Sequence, residues 1–562
     1  MRRTVPLLRG IPILIVILAA AVAGMAWAIS SPIGSSPDED FHVASIWCPP
    51  PAETSGCEVK IAPRGYKTVT VVARVAAACY SHNPDQSGAC IWTIPADKLY
   101  DDYAFNQGGY PPVFYHVLHI FAFGDPYRSI YLIRAFNVAL AIVLGALLVV
   151  GATRPTRRIL AYVIVGTYVP MGMFIVPSAN PSSWALIGVT TAAFAFHSYW
   201  ISERRSMVIF NGVLAAVGVG LAASARADAA LYSVLAAVAV TFLHYRSVRR
   251  HLVRLVLPSA VAIGGFVAFR MSSQGADALA GGLGSSASSA SANTGGLHLL
   301  LSNILEIPML VLGNQGVPGL GSLGQLDTPM PRLVYVATVM VCAFLVMAGV
   351  GRLSWMKSLV SAGGFLVFCG IPLYILQTSH LAVGDGVQPR YLLPLMPVVF
   401  LVLLTGSRPE QAVRLSRAAA WLAWALASIA NSVALMVNIQ RYTTGMDGPL
   451  FPGHAVEWWS TNRVGPLPTW ILGSLGFAIA AWMVVRLSSG PDAPALVASS
   501  ADHTAIAPAP VSTTERALTR TPQAADVEPI PVEPPAPQPV ASRPATPEYI
   551  PPGPASSGIT SP

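Results

Sequence analysis

The chain has 562 residues, of which 53% are hydrophobic and 11% are charged, and its formal net charge is +8. Soluble domains carry about 25% charged residues, so a chain this long and this poor in charge could not cover a water-facing surface. The basic residues form short clusters between apolar runs, a pattern typical of membrane orientation and not of nucleic-acid binding. The composition therefore excludes a soluble globular protein and predicts an all-α polytopic membrane protein.

Apolar runs close to the ~20 residues that cross a bilayer indicate about twelve transmembrane helices. The first run has a long apolar core and no clear small-x-small cleavage site, so it is interpreted as a retained helix and not as a signal peptide. The runs span 11–30, 129–152, 159–177, 182–201, 207–225, 229–245, 255–270, 333–350, 358–377, 391–406, 417–438 and 469–486.

Basic loops predict how these helices are oriented, because Lys and Arg concentrate on the cytoplasmic side. Arg2, Arg3 and Arg9 precede the first helix, and further clusters fall on alternate loops at 154–158, 204–205, 246–254, 352–357 and 408–417. The alternation predicts an even number of helices, with both termini in the cytoplasm. The segments predicted to lie outside the cytoplasm are 31–128, 271–332, 378–390 and 439–468.

The first outside segment, 31–128, contains Cys48, Cys57, Cys79 and Cys90. Four cysteines in one extracytoplasmic loop predict a disulfide framework, and all three pairings stay open. A zinc site is the less favoured alternative, because neither pair has the C-x-x-C spacing.

The remaining segments are distinguished by composition. The Gly-, Ser- and Ala-rich stretch 275–296 is interpreted as a flexible linker. The apolar stretch 297–312 carries a Glu and a Pro, so we expect a helix that lies on the outer membrane surface. Residues 487–562 are rich in Pro and Ala and lack the apolar content of a core, which predicts a disordered cytoplasmic tail behind a transmembrane domain of residues 1–486.

The acidic motif, residues 37–42, follows the first helix and reads Pro-Asp-Glu-Asp-Phe-His. Three consecutive carboxylates, Asp38, Glu39 and Asp40, are costly to place near lipid headgroups, and such groups act as general bases or bind divalent metals. The alternative is a solvated helix cap, since Asp and Glu favour helix N-termini. The sequence leaves the two interpretations at even weight and gives no metal assignment.

Two further motifs lie on the same predicted side of the membrane. Residues 110–116 contain Tyr110, two prolines and Tyr115, which predicts a short interfacial helix, with a purely structural anchor as the favoured alternative. At the outer end of the tenth helix, Arg390 precedes Tyr391 at the level of phosphate headgroups, where an Arg binds phosphate or, alternatively, only extends towards water.

Three more charged residues are expected near the same surface. Arg226 and Asp228 form the turn between the fifth and sixth helices, and the two charges alternatively only neutralise each other. Arg134 lies near the outer start of the second helix, where it faces the same site or, alternatively, only extends towards water. The sequence lacks a Walker A motif and a Gly-rich nucleotide loop. Few charges occur in mid-helix, whereas ion-coupled transporters usually need them.

Together these motifs resemble the GT-C superfamily of membrane glycosyltransferases, in which a first helix is followed by a large extracytoplasmic loop with an Asp-Glu motif. Asp38-Glu39 with Phe41-His42 matches that motif in position, and Pro111-Pro112 with Tyr115 is similar to the helix that closes the loop. Arg390-Tyr391 resembles a late-helix motif. The order and spacing are also similar to a family of bacterial, often actinobacterial, predicted membrane proteins in this group. The disulfide-rich loop, the missing C-terminal periplasmic domain and the added tail depart from the pattern and leave the acceptor open.

The resemblance implies a multi-pass enzyme of the bacterial plasma membrane that moves a sugar from a polyprenyl-phosphate donor to a cell-wall glycan, a glycolipid or a protein. It implies Asp38 as the base, with Glu39 beside it, and an Arg on the leaving phosphate. The residues expected to bind substrate are Asp40, His42, Tyr110, Tyr115, Arg134, Arg226, Asp228, Arg390 and Tyr391. Membrane lipids are expected partners, and nucleic acid is not.

No cofactor is assigned, and a divalent metal stays an open alternative. Two rival functions remain: a transporter or flippase of lipid or polysaccharide, and a non-catalytic envelope assembly protein.

Overall fold

The computed structural model describes residues 7–488, apart from 63–65, 73–78, 96, 274–295, 409, 452, 454–455 and 461–462. Nearly all of the predicted linker, 275–296, and almost the whole of the predicted tail, 487–562, lie outside the described residues.

The described residues are mostly helical, and eighteen α-helices are labelled here in chain order. The first nine are α1 Leu7–Ile29, α2 Glu39–Trp47, α3 Val113–His119, α4 Pro126–Gly151, α5 Arg154–Thr167, α6 Met171–Ile175, α7 Pro181–Ile201, α8 Arg205–Ala225 and α9 Ala227–Leu243. The others are α10 Tyr245–Arg250, α11 Val256–Met271, α12 Gly296–Leu312, α13 Arg332–Val350, α14 Trp355–Thr378, α15 Pro389–Leu392, α16 Met396–Leu404, α17 Arg417–Thr443 and α18 Pro466–Ser488.

Nine stretches of the described residues are helical, long and apolar enough to cross a membrane. Their outer faces expose large apolar side chains, among them Val143, Val213 and Phe365, as expected of surfaces that contact lipid. The predicted polytopic helical fold is confirmed. The number of crossings and the orientation of the termini stay predictions.

The helix α7 lies at the centre of the bundle and is buried along its whole length except at Ile201. It packs closely on α8 through two glycines. A Cβ atom on Gly188 would lie 2.7 Å from the backbone of α8, and one on Gly218 would lie 2.6 Å from the backbone of α7. Small residues at such a contact let two helix backbones approach each other, as in many membrane bundles.

Two of the predicted transmembrane runs are broken at prolines. The run 159–177 divides into α5 and α6 at Pro170, and the run 391–406 divides into α15, a 3₁₀ turn at Leu393–Leu395 and α16. Proline lacks a backbone N–H and interrupts a helix. The second break adjoins Arg390, which donates hydrogen bonds to Pro37 and Asp38 of the acidic motif.

The helix α12 is long and apolar enough to span a membrane, and it contacts the connection between α14 and α15. The Gly296 carbonyl accepts from Gln377, Asn303 donates to the Leu381 carbonyl, and Asn314 donates to the Pro389 carbonyl. Residues 377–389 follow one another at a single end of the bundle, so α12 runs along that end. The predicted position of this helix on the membrane surface stays a prediction.

The segment between α1 and α4 folds on the end of the bundle that carries the acidic motif. Three antiparallel strands, β1 Val59–Ile61, β2 Lys67–Val72 and β3 Leu99–Asp102, form a sheet with β2 in the middle. Val69 and Val71 of β2 point into a core shared with Val43 and Ile46 of α2. The predicted interfacial helix is α3, which begins directly after Pro112.

Two disulfides hold this segment, and the structure selects one of the three pairings: Cys48–Cys57 and Cys79–Cys90. The first joins the end of α2 to the residues before β1. The second closes a loop that packs against α17. Cys342 and Cys369 are free.

We predict that peptide mapping of the purified chain without reduction will find these two linked pairs and no others. Both pairs are close in sequence, 9 and 11 residues apart, and each closes a local loop. Alkylation before reduction should label Cys342 and Cys369 only, and labelling after reduction should reach all six. A crosslink between Cys48 or Cys57 and Cys79 or Cys90 would contradict the fold of this segment.

Candidate functional site

The acidic motif begins with a residue in an unusual conformation. Asp38 is the N-cap of α2 and has φ 57°, in the left-handed region that few non-glycine residues adopt. Its backbone N–H donates to Gln325 Oε1 at 3.3 Å, and Gln325 Nε2 donates to the carbonyls of Gly34 and Ser36 at 2.7 and 2.8 Å. The Asp38 side chain caps no helix N–H, so the predicted alternative of a simple solvated cap does not describe it.

The Asp38 carboxylate instead binds Arg390. Nη2 of Arg390 donates to Asp38 Oδ2 at 2.5 Å, and Nη1 donates to the Pro37 carbonyl at 2.7 Å. The Arg390 side chain is 1% exposed, whereas that of Asp38 is 47% exposed. Arg390 is therefore not an interfacial arginine extended towards water. It is a buried cation whose carboxylate partner is open to solvent on one side.

The start of α7 helps to hold this pair in position. Asn180, the N-cap of α7, donates from Nδ2 to the Pro37 carbonyl at 2.6 Å and accepts from the Ser182 N–H at 2.8 Å. Pro181 occupies the first helical position, which favours a helix start there. The Pro37 carbonyl therefore accepts from both Asn180 and Arg390, which fixes the backbone immediately before Asp38.

A second arginine lies next to the first. The guanidinium of Arg226 is 4.5 Å from the Tyr391 ring centroid, and that of Arg390 is 5.1 Å from it. Arg226 binds Asp228 through Nε and Nη2, at 2.9 and 2.8 Å. Two cations thus share one aromatic ring, and each has a carboxylate partner.

Aromatic residues of the segment before α4 form the other wall. The Tyr110 ring lies 6.0 Å from the Arg226 guanidinium and 5.0 Å from the His42 ring. His42 Nδ1 is 2.9 Å from the Tyr115 hydroxyl. Burial lowers the pKa of His42 to about 3, with Arg390 and Arg226 adding to the effect and Asp38 opposing it. His42 is therefore neutral at physiological pH and does not compete with Arg390 as the cation partner of Asp38.

The two outer carboxylates of the motif differ in basicity. Burial raises the pKa of Asp38, but the charges of Arg390 and Arg226 outweigh it, and the pKa lies below its ordinary value. Burial also raises the pKa of Asp40, and the charges of Asp38 and Asp102 add to this, so the pKa of Asp40 lies above its ordinary value. Asp38 is thus the more strongly ionised of the two.

The middle carboxylate, Glu39, is fully buried and turned away from this cluster. Its Oε2 accepts from Arg134 Nη2 at 2.9 Å, and its Oε1 accepts from the Ala179 N–H at 2.8 Å. Arg134 also donates to the carbonyls of Ala28, Ser31 and Pro32. This pair fastens the acidic motif to α1, α4 and the start of α7, and neither charge meets solvent.

A further buried pair was not singled out from the sequence. Arg441 of α17 binds Asp327 Oδ2 at 2.8 Å, and the two side chains are 0% and 5% exposed. Arg441 also donates to the carbonyls of Tyr80 and Gln86, inside the Cys79–Cys90 loop. Gln325 and Asp327 lie between α12 and α13, in a segment without a charge pattern that would mark it. Arg441 alone offered a signal, as a charge at the end of an apolar run.

Most of the sequence-predicted site residues thus form one contiguous cluster, while Glu39 with Arg134 forms a separate pair and Asp40 faces the strand β3. The members of the cluster are Asp38, His42, Tyr110, Tyr115, Arg226, Asp228, Arg390 and Tyr391. In the described part of the chain, no group of three or more His, Cys, Asp or Glu side chains is placed to hold a metal ion.

We predict that Glu39→Gln will destabilise the fold. The change leaves the Arg134 charge buried without its counter-ion, and breaking a buried pair in this way costs about 3–5 kcal/mol. The measurement is the melting temperature of the purified protein in detergent. Glu53→Gln removes the same charge from an exposed pair with Lys67 and should leave the melting temperature unchanged, because exposed pairs contribute little. Equal melting temperatures for the wild type and Glu39→Gln would show that this anchor is dispensable.

Comparison with known proteins agrees with this architecture. Residues 22–399 match the model of a family described as predicted membrane protein, DUF2142. The matched segment includes the acidic motif, Arg226 and Arg390, whereas Arg441 lies beyond it. Searches of the curated proteins and of the solved structures returned no match. Since the match extends over about two thirds of the 562 residues, the chain belongs to the DUF2142 family of predicted membrane proteins.

Proposed function

We propose that the protein is a membrane glycosyltransferase that moves a sugar from a polyprenyl-phosphate donor to an acceptor at the extracytoplasmic face of a bacterial plasma membrane. The observation that carries the proposal is the Asp38–Arg390 pair, a half-exposed carboxylate on a buried guanidinium. A transferase of this class needs a base for the acceptor hydroxyl and a cation for the leaving phosphate. These two residues supply both groups side by side.

The donor phosphate binds Arg390 and Arg226 in this proposal. Guanidinium groups form paired hydrogen bonds with phosphate oxygens. Within the described residues, Nε of Arg390 is buried and has no acceptor, so this cation has donor capacity that the protein does not use. Ser182 lies 3.4 Å from Arg226 Nη1 and adds a hydroxyl to the same wall.

Donor binding also releases the base. In the free protein Asp38 occupies the position on Arg390 that a phosphate oxygen would take, and the arginine depresses the basicity of the carboxylate. An arriving phosphate displaces Asp38 from Arg390 and neutralises the positive charge that lowered its pKa. The carboxylate therefore becomes a better proton acceptor when the donor is present.

The chemical step then follows from these positions. Asp38 accepts the proton of the acceptor hydroxyl, and the hydroxyl oxygen forms a bond to the anomeric carbon. The bond from that carbon to the phosphate oxygen breaks, and polyprenyl phosphate leaves with the bonding electron pair. Arg390 and Arg226 stabilise the charge that grows on the phosphate. The neutral His42 and the Tyr115 hydroxyl hold the wall next to Asp38.

The rival functions receive less support from these contacts. Four ion pairs with a buried arginine lie at the end of the helices that carries the acidic motif: Asp38–Arg390, Glu39–Arg134, Asp228–Arg226 and Asp327–Arg441. A reaction at a headgroup needs charges at one end, whereas a transporter needs polar groups along its path. A scaffold role gives no reason for a half-exposed Asp38 on a buried arginine.

We predict that Asp38→Asn will lower turnover by a factor on the order of 10²–10⁴, the usual effect of losing a positioned base. Arg390→Ala should weaken donor binding as well as turnover, because the phosphate is charged both before and during the reaction. The assay measures sugar transfer from a panel of polyprenyl-phosphate sugars, with donor affinity determined separately, in one membrane preparation.

The matched controls are Asp385→Asn and Arg332→Ala, which change exposed residues of the same types outside the cluster. Both should transfer at the wild-type rate. Asp40→Asn tests the neighbouring carboxylate. If it loses turnover while Asp38→Asn keeps it, the base is Asp40. If every variant transfers like the wild type, the catalytic proposal fails.

We predict a pH effect of the same pair. The pKa of Asp38 is held below its ordinary value by Arg390, so kcat/KM should fall only at low pH, where Asp38 becomes protonated. Arg390→Ala removes the charge that outweighs the effect of burial, so the pKa of Asp38 rises. As the pH is lowered, the residual activity of this variant should therefore be lost at a higher pH than the activity of the wild type. The pH–rate profiles of kcat/KM report the free enzyme. If the acidic limb of the profile lies at the same pH in Arg390→Ala as in the wild type, the assignment of Asp38 as the base is contradicted.

A further inference from the structure

A groove of about 390 Å³ opens beside the cluster of site residues. It lies between the 3₁₀ turn at Ala52–Thr54, the start of β2 and the loop that leads into α3. Its lining residues are Pro50, Pro51, Ala52, Glu53, Lys67, Phe105, Asn106, Gln107, Gly108, Tyr110 and Pro112. This volume lies within the range of small-molecule sites, about 300–1,000 Å³.

One wall of the groove is a preorganised loop. Asn106 Oδ1 accepts from the N–H groups of Gly108 and Tyr110 at 3.1 and 3.0 Å, and Nδ2 donates to the Tyr110 carbonyl at 3.0 Å. Asn106 is buried, whereas Gln107 is exposed. Gly108 has φ +104°, where a residue with a side chain would be strained. The loop therefore presents the Gln107 amide from a fixed backbone.

The lining combines apolar faces with neutral polar groups. Tyr110, Phe105 and the prolines offer flat apolar surface, and Gln107 offers both a donor and an acceptor. The two charged residues, Glu53 and Lys67, bind each other at 2.7 Å. The groove thus holds no unpaired charge to attract an anion or a cation.

Tyr110 connects the groove to the site. Its ring lies between the groove and the side chains of His42 and Arg226. Burial raises the pKa of the Tyr110 hydroxyl to about 12, so it keeps its proton and can donate a hydrogen bond. A molecule that fills the groove reaches the same ring that borders the catalytic cluster.

We propose that the groove binds a neutral saccharide of the acceptor and directs one of its hydroxyls towards Asp38. This inference rests on the proposed transferase function. A saccharide ring presents apolar C–H faces to aromatic and proline surfaces and hydroxyls to amides, which is the chemistry that the lining offers. A lipid chain would bury the polar groups of the groove without hydrogen-bond partners. An anionic glycan would meet one cation among the lining residues, Lys67, which already binds Glu53.

The test measures saccharide binding to the purified full-length chain by saturation-transfer NMR, without donor and therefore without transfer. The probes are neutral oligosaccharides of two to four residues, built from glucose, mannose, galactose or arabinose, and a uronic acid oligosaccharide for comparison. We expect at least one neutral probe to bind and the acidic one to bind more weakly. Failure of every neutral probe to bind would overturn the proposal, as would tighter binding of the acidic one.

Variants then locate the bound probe. Gln107→Trp fills the groove and should weaken binding at least about tenfold. Gln107→Ala removes one hydrogen-bonding group with little effect on folding and should weaken binding about fivefold. Gln411→Trp, the same bulky change at an exposed position of another loop, should bind like the wild type. Equal affinity of the wild type and both Gln107 variants would overturn the proposal.

The result is separable from the outcome for the transferase. Asp38→Asn should abolish most transfer and still bind the saccharide. If saccharide binds in the groove but no donor supports transfer, the groove assignment stands and the transferase proposal fails. If transfer proceeds and is equally efficient in Gln107→Trp, the enzyme proposal stands and the acceptor groove is refuted.

Discussion

The structure depends on the burial of one ion pair, Glu39–Arg134, at the end of α1. Removing two charges from water costs free energy, and that cost is recovered only when the donors and acceptors around them form hydrogen bonds. Here the Ala28, Ser31 and Pro32 carbonyls and the Ala179 N–H are recruited for that purpose. These contacts fix the backbone from the end of α1 to the start of α2, and this fixed backbone leaves the adjacent Asp38 side chain free to face Arg390.

The broken helices serve the same geometry. An unbroken transmembrane helix satisfies its own backbone groups and offers its neighbours only side chains. Asn180 at the start of α7 and Arg390 in the short helix α15 instead lie at helix ends, where they hold the Pro37 carbonyl from two directions. The departures from regular helix are therefore concentrated where polar contacts are needed, and the central helix α7 is packed by its neighbours over nearly its whole length.

Sequence patterns were sufficient for the helical membrane fold, for the disulfide-bearing segment and for most members of the site. Apolar runs and short polar motifs are local signals, and they marked Asp38 and Arg390 separately. Their pairing joins residues 352 positions apart and has no local signature. The contacts of Gln325 and the Asp327–Arg441 pair also join distant parts of the chain, so no local sequence pattern marks them. The three carboxylates of the acidic motif look equivalent in sequence, but successive helix positions face different directions, so Glu39 is buried, Asp38 meets Arg390 and Asp40 faces β3.

The hydrogen bonds that Gln325 makes with the backbone around Asp38 have a consequence for the order in which the chain folds during membrane insertion. A chain inserted from its N-terminus can form the Glu39–Arg134 pair as soon as α4 and the start of α7 are in the membrane. The Asp38 N–H has no acceptor until residue 325 has been synthesised, and the Asp38 carboxylate has no cation partner until residue 390 follows. The motif that emerges first is thus completed late. A chain that ends before α15 therefore carries an acidic motif fastened by Arg134 whose Asp38 carboxylate lacks its cation.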